Sequence, residues 1–245
     1  MEKNLTTGGV FRTLVSFSLP FLLSYFLQTL YGMADLFIVG QFNGVECTTA
    51  VSIGSQVMHM LMVMIVGLAM GSTVMIGRAI GARAQEEASA AIGNTVTLFM
   101  SLSVAISIVL LLLVRPIVSL MSTPVEAVSG TINYLTICFI GIPFITAYNI
   151  ISSILRGMGD SKSPMYFIAI ACAANIALDY LLIGVMKLGP AGAALGTTLS
   201  QTTSVIVSLA IILKRRTGLS LKRDHLRPRK RVMGSLLKVG LPVAF

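Results

Sequence analysis

The chain has 245 residues, of which 55% are hydrophobic and only 11% charged, with a formal net charge of +9. Soluble domains carry about 25% charged residues, so this composition cannot cover a globule with a solvated surface, and the first reading is a polytopic membrane protein. The basic excess would suit a nucleic-acid partner, but it sits at the ends of apolar stretches and in one late run, which fits membrane headgroups instead, and no nucleic acid is expected.

The charges mark out the elements. Asp35 is the only charge between Arg12 and Glu46, and none falls in Cys47–Gly77. Ala88–Val114, Ala127–Leu155 and Leu188–Leu213 have none, and Ser163–Met186 has only Asp179. Each stretch reaches the roughly 20 residues that cross about 30 Å of hydrocarbon. The expected fold is all-α, a six-helix transmembrane bundle. The first apolar run is long, lacks a small-residue cleavage site and is followed directly by others, so it is expected to stay as a membrane helix. Cys47, Cys138 and Cys172 lie in apolar surroundings without a CxxC pair and read as packing residues.

Lys3, Arg12, Arg78, Arg83, Arg156, Lys162 and the run Lys214–Arg231 fall on one side of such a bundle, and only Arg115 and Lys187 fall on the other. The positive-inside rule makes the first side cytoplasmic, N-terminus included, in a multi-pass protein of the plasma (inner) membrane. The run Lys214–Arg231 holds nine basic residues and reads as a cytoplasmic linker beside anionic lipids. Beyond it, Leu236-Leu237-Lys238-Val239-Gly240-Leu241-Pro242-Val243 repeats the pattern of Leu14-Val15-Ser16-Phe17-Ser18-Leu19-Pro20-Phe21. A parallel repeat of six helices is a transporter signature, with the solute path between the halves. The expected domains are therefore 1–214, a six-helix lobe; 215–231, the basic linker; and 232–245, the start of a seventh helix belonging to a second lobe.

Polar groups inside these helices carry the functional expectation, because intramembrane ionisable residues are costly. Gln28, Tyr31 and Asp35 form one stripe on the first helix, at spacings of three and four. Asn175 and Asp179 share one face of the fifth. A carboxylate beside an amide oxygen suits a hard cation, and equally takes up a proton. In the sixth helix the small run Gly192–Gln201 reads mainly as close packing, with a Thr hydroxyl as one further oxygen ligand. Tyr148 and Asn149 are the polar pair of the fourth helix, and Asn149 is a candidate for the same cavity. His59 reads as a packing residue. No P-loop, HExxH, GxSxG or Cys/His metal spacing occurs, so no enzyme activity is expected.

Taken together, Leu19-Pro20, Gln28-Thr29-Leu30-Tyr31-Gly32-Met33-Ala34-Asp35, the loop Leu155-Arg156-Gly157-Met158-Gly159-Asp160-Ser161-Lys162-Ser163-Pro164, Asn175 with Asp179, and Gly192-Ala193-Ala194-Leu195-Gly196-Thr197 resemble the prokaryotic type of the MATE (multidrug and toxic compound extrusion) transporters. The resemblance covers the whole chain. It implies one half of a twelve-helix, two-lobe protein, a secondary antiporter that exports organic cations and drugs in exchange for Na⁺ or H⁺. It implies Asp35, Asn175, Asp179 and Thr197 as the cation- or proton-binding set, and Gln28, Tyr31 and Asn149 as substrate-cavity residues. No cofactor is implied, and Na⁺ enters only as a coupling ion. The partners implied are the drug, the coupling ion, membrane lipids and a second six-helix lobe. Two other readings stay open: a flippase for lipid-linked saccharides, and a non-transporting membrane scaffold.

Overall fold

The computed structural model describes residues 10–214 and 223–244, and it is helical throughout them apart from short connections. Lys3 and the linker residues Arg215, Arg216 and Lys222 lie outside the described residues. The helices are α1 (Val10–Phe42), α2 (Val45–Gly81), α3 (Gln85–Leu120), α4 (Val125–Gly157), α5 (Lys162–Asp179), α6 (Gly189–Lys214) and α7 (Lys230–Ala244). Asp179 leads without a break into a π-helical segment, Tyr180–Val185, and a 3-10 turn covers Arg223–Leu226. The first six helices are each long and apolar enough to cross a membrane.

Short connections force neighbouring helices to run antiparallel. Each turn has a local cause. Arg83, Ser122, Gly159, Lys187 and Gly189 take positive φ between the helices, stopping them within a residue or two. Asp160 starts α5: Lys162 N and Ser163 N donate to its Oδ1 at 3.1 and 3.0 Å, and Ser163 Oγ donates to Oδ2 at 2.6 Å. One end of the bundle thus carries Arg78, Arg83, Arg156 and Lys162; it is called the basic end below.

α4 is the central helix, packed against α2, α3 and α6. Leu135, Phe139 and Ile142 are fully buried among Val39, Val51, Ile183, Ala193 and Ala194. Lipid-facing positions are as apolar as the core (Ile108, Val109 and Leu112 of α3 are all exposed), so apolarity does not say which face turns inward. Close approach and interhelical hydrogen bonds do. A Cβ on Gly157 would meet Ile76 and the carbonyl of Thr73, and one on Gly141 would meet the Thr198 side chain. Pro143 lacks the N–H that would bond Phe139 O within α4, and Ser107 Oγ of α3 fills that vacancy at 2.6 Å. Thr73 and Ser153 hydroxyls meet at 2.8 Å, and Ser153 Oγ donates to Ala69 O at 2.5 Å.

The basic run was expected to lie beside headgroups. Its described part folds back on the bundle. Asn94 Nδ2 of α3 donates to His225 O at 3.3 Å, Arg229 N donates to Asn94 Oδ1 at 2.7 Å, and Thr97 Oγ1 donates to Leu226 O at 2.8 Å. Glu86 Oε2 meets His225 Nε2 at 3.1 Å. Gly93 leaves room for the His225 backbone, which any side chain there would displace. α7 begins at Lys230 and lies against α2, where Gly71 and Gly240 bring the two backbones together.

Candidate functional site

Asp35, Asn175, Asp179 and Thr197 converge from three helices that the sequence separates by up to 162 positions. Asp35 and Asp179 are buried, as is Asn175. Thr197 Oγ1 donates to Asp35 Oδ2 at 3.0 Å. The Asp35 carboxyl faces that of Asp179 and the amide of Asn175. These last approaches fall outside hydrogen-bond geometry. Asp35 Oδ1, both Asp179 oxygens and both amide atoms of Asn175 are buried without a partner among the described residues. Native interiors leave few such groups, and each one asks for an explanation.

Local structure builds the cluster. Gly196 is the residue that lets α6 reach α5, since a Cβ there would overlap Asp179 Oδ1. Asp179 is the last residue before the π-helical segment, a widening often found at functional sites. At a rise of 1.5 Å per residue the cluster lies roughly 10 Å in from the helix ends opposite the basic end. Among the described residues no positive side chain acts on the two acids. The oxygen set (two carboxylates, an amide oxygen and a hydroxyl) fits a proton or a hard monovalent cation, and is too poor in nitrogen and sulfur for a transition metal. Among the described residues no three or more His, Cys, Asp and Glu side chains come together so that they could hold a metal ion.

Other expected residues fall around this centre. Tyr31 is half-buried one turn from Asp35, and its hydroxyl accepts a hydrogen bond from Gln201 Nε2 at 3.4 Å. Gln28 is half-buried a further turn along α1. Asn149 is buried but donates to Ile145 O of its own helix at 2.8 Å, outside the acid cluster. His59 is exposed on α2. Cys138 and Cys172 are buried and free, and Cys47 is half-buried.

Two contributors to this site, Gln201 and Tyr134, and one contact at the basic end, that of Arg156, were not singled out by the sequence. Gln201 is 1% exposed and its Oε1 has no partner among the described residues. It sits four residues past Thr197, a spacing that signals the same face of α6. Tyr134 of α4 packs in the core cluster with Ile38 and Val39, beside Asp35 in sequence, and its hydroxyl meets Ser55 Oγ at 3.1 Å. Arg156 reaches back to α1, its guanidinium 5.1 Å from the Phe21 ring centre. Neither Tyr134 nor Arg156 has a sequence signal that marks the contact.

Comparison with known proteins gives a consistent result. Residues 20–181 match the MatE family model. The probable multidrug resistance protein YoeA of Bacillus subtilis (strain 168) is 32% identical over 96% of this chain and 52% of its own length. A solved multidrug resistance MATE family transporter of the MOP superfamily, in its outward-facing conformation, superposes with a TM-score of 0.87 at 30% identity, covering 95% of this chain and 51% of that one. A MOP superfamily transporter from Pyrococcus furiosus, described as having a binding pocket of reverse polarity that suggests a different function, gives a TM-score of 0.89 at 29% identity over 98% and 53%. The chain thus spans about half the length of the relatives it matches. Those relatives are named as a resistance protein and transporters, not as enzymes.

Proposed function

The chain belongs to the MatE family, and on that premise we propose that it is the first six-helix lobe of an antiporter that exports organic cations and drugs in exchange for Na⁺ or H⁺. The observation that carries this reading is the acid cluster: two buried carboxyls from α1 and α5 face each other, with oxygen atoms left without partners. Two like charges this close and this dry stay together only with positive charge between them. A proton or a cation supplies it, and so joins α1 to α5 and α6. An organic cation on the α1 stripe, at Gln28, Tyr31 and Asp35, draws on the same charge. Drug and coupling ion then compete for Asp35, which is what exchange requires. Na⁺ here is cargo, and either ion suits this oxygen set.

The basic end suggests the orientation. By the positive-inside rule, Arg78, Arg83, Arg156, Lys162 and the segment 223–231 favour a cytoplasmic side for that end in a protein of the plasma (inner) membrane, and on that reading the acid cluster lies in the outer half. An acidic and neutral cavity meets a cationic solute; a lipid-linked diphosphate calls for basic groups, which favours the drug reading over the flippase. A second six-helix lobe is expected to close the path.

The test is dye efflux from proteoliposomes holding the full-length protein, with Na⁺ and pH gradients imposed separately. Efflux driven by either gradient supports the reading. Efflux that ignores both gradients, or fails to occur with folded protein, sinks it.

A further inference from the structure

A second set of polar groups lies between the acid cluster and the outer face, and the exchange described above makes no use of it. Thr48, Ser52 and Ser55 follow one another at spacings of four and three on α2, so they share a face. Its outer part, Thr48 and Ser52, turns to α1, and Ser55 turns to α4. A cavity of about 380 Å³ opens at the outer part, with Gly40 of α1, Asn43 in the turn after it, and Thr48, Thr49 and Ser52 of α2 among its lining residues. Asn43 Nδ2 is buried without a partner among the described residues. Gly40 keeps the cleft open: the nearest atom to a Cβ placed there is Thr48 Oγ1, at 3.9 Å.

The polar groups continue inward. Ser55 lies one turn deeper than Ser52, and its Oγ meets the Tyr134 hydroxyl at 3.1 Å. The Tyr134 ring rests on Gly54, where any side chain would push it away. Tyr134 in turn packs in the same core cluster as Ile38 and Val39, about one turn along α1 from Asp35. Asn43, the residue after α1, lies about two turns from Asp35. Hydroxyl and amide groups therefore descend from the outer helix ends toward the acids, and no carboxylate is among the residues that line the cavity.

We propose that this hydroxyl-lined cleft between α1 and α2 is the lane by which the coupling cation, a proton or hydrated Na⁺, reaches Asp35 from outside. The proposal rests on the reading of the acid cluster as the coupling site. Neutral oxygen groups replace part of a cation's water but hold it weakly, so it enters and moves on. The carboxyls at the end of the lane hold it.

The experiment uses the full-length protein in proteoliposomes and measures efflux of a fluorescent organic cation against Na⁺ and, separately, against pH. Gly40→Leu fills the cleft, and Ser52→Val removes a hydroxyl at a half-buried position. Both are expected to raise the driving-ion concentration needed for half-maximal efflux about tenfold, with the half-saturating dye concentration unchanged. A Ser52→Cys variant on a Cys47→Ser background, treated from outside with a bulky thiol reagent, is expected to slow efflux in the same way. If Gly40→Leu does not fold, Ser52→Val and the labelled Ser52→Cys protein decide. Unchanged ion dependence in the folded variants overturns the lane, as does a shift in dye dependence alone, which would assign the cleft to the solute. Loss of ion-driven efflux in Asp35→Asn with unaltered Gly40 and Ser52 variants removes the lane and leaves the coupling site. Ion-driven efflux that survives Asp35→Asn removes the coupling site itself.

Discussion

Two polar regions of this bundle are built from similar side chains and end in opposite states. Between α2 and α4, Thr73, Ser153 and the Ala69 carbonyl satisfy one another in a closed network. Between α1, α5 and α6, Asp35, Asn175 and Asp179 are equally buried, but only the Thr197–Asp35 hydrogen bond is made and five side-chain atoms have no partner among the described residues. In a bilayer there is no water to take up the difference. The first arrangement is complete by itself and acts as glue between helices. The second is complete only with something added. Burial of polar groups alone therefore does not mark a site in a membrane protein; what singles this one out is two carboxyls buried together with several oxygens unmet.

The contrast is sharpest under substitution. Asp179→Asn keeps size and shape but removes the second charge, so gradient-driven dye efflux by the full-length protein should fall to background, at least about a hundredfold below the parent, while the protein elutes as a folded particle. Efflux retained in that variant would put both regions in the same structural class. Gly196→Val is next. The added methyls displace Asp179 from α6, and efflux should drop about tenfold with a weaker dependence on the driving ion. Ser153→Ala is the control from the other region. It breaks the Thr73 and Ala69 hydrogen bonds, and each lost bond should lower thermal stability by about 0.5–1 kcal/mol, read as a lower unfolding midpoint, with efflux per folded molecule unaltered.

The sequence shows some of this architecture plainly and hides the rest for physical reasons. Six spans were legible because charge is excluded from hydrocarbon, so the charged residues bracket each helix. Asp35 and Asp179 were legible for the same reason, as the two charges that break that exclusion. Their convergence with Thr197 came from resemblance, since residues on three helices carry no local sign of meeting. The π-helical segment after Asp179 has no composition of its own, and its Leu182 and Ile183 lie against Gly192 of α6. Tyr134 and Gln201 look like ordinary membrane-helix residues until the helices are packed. The basic run was legible only in part. Its nine basic residues between Lys214 and Arg231 suggest a linker beside headgroups; what they do not show is that Asn94, a single amide inside α3, binds the backbone of its described part twice and holds it on the bundle. Backbone recognition of this kind leaves no trace in side-chain charge.

The central claim is that drug and coupling ion share the charge of Asp35 and Asp179, and ion release on drug binding tests it most directly. An organic cation is added to full-length protein in detergent, in weakly buffered solution for protons and with ²²Na⁺ present for sodium. Linkage predicts about one proton or one Na⁺ released per drug bound, and none from the Asp35→Asn/Asp179→Asn double variant. Drug binding with no ion released by the parent protein, or with equal release by the double variant, would contradict the account.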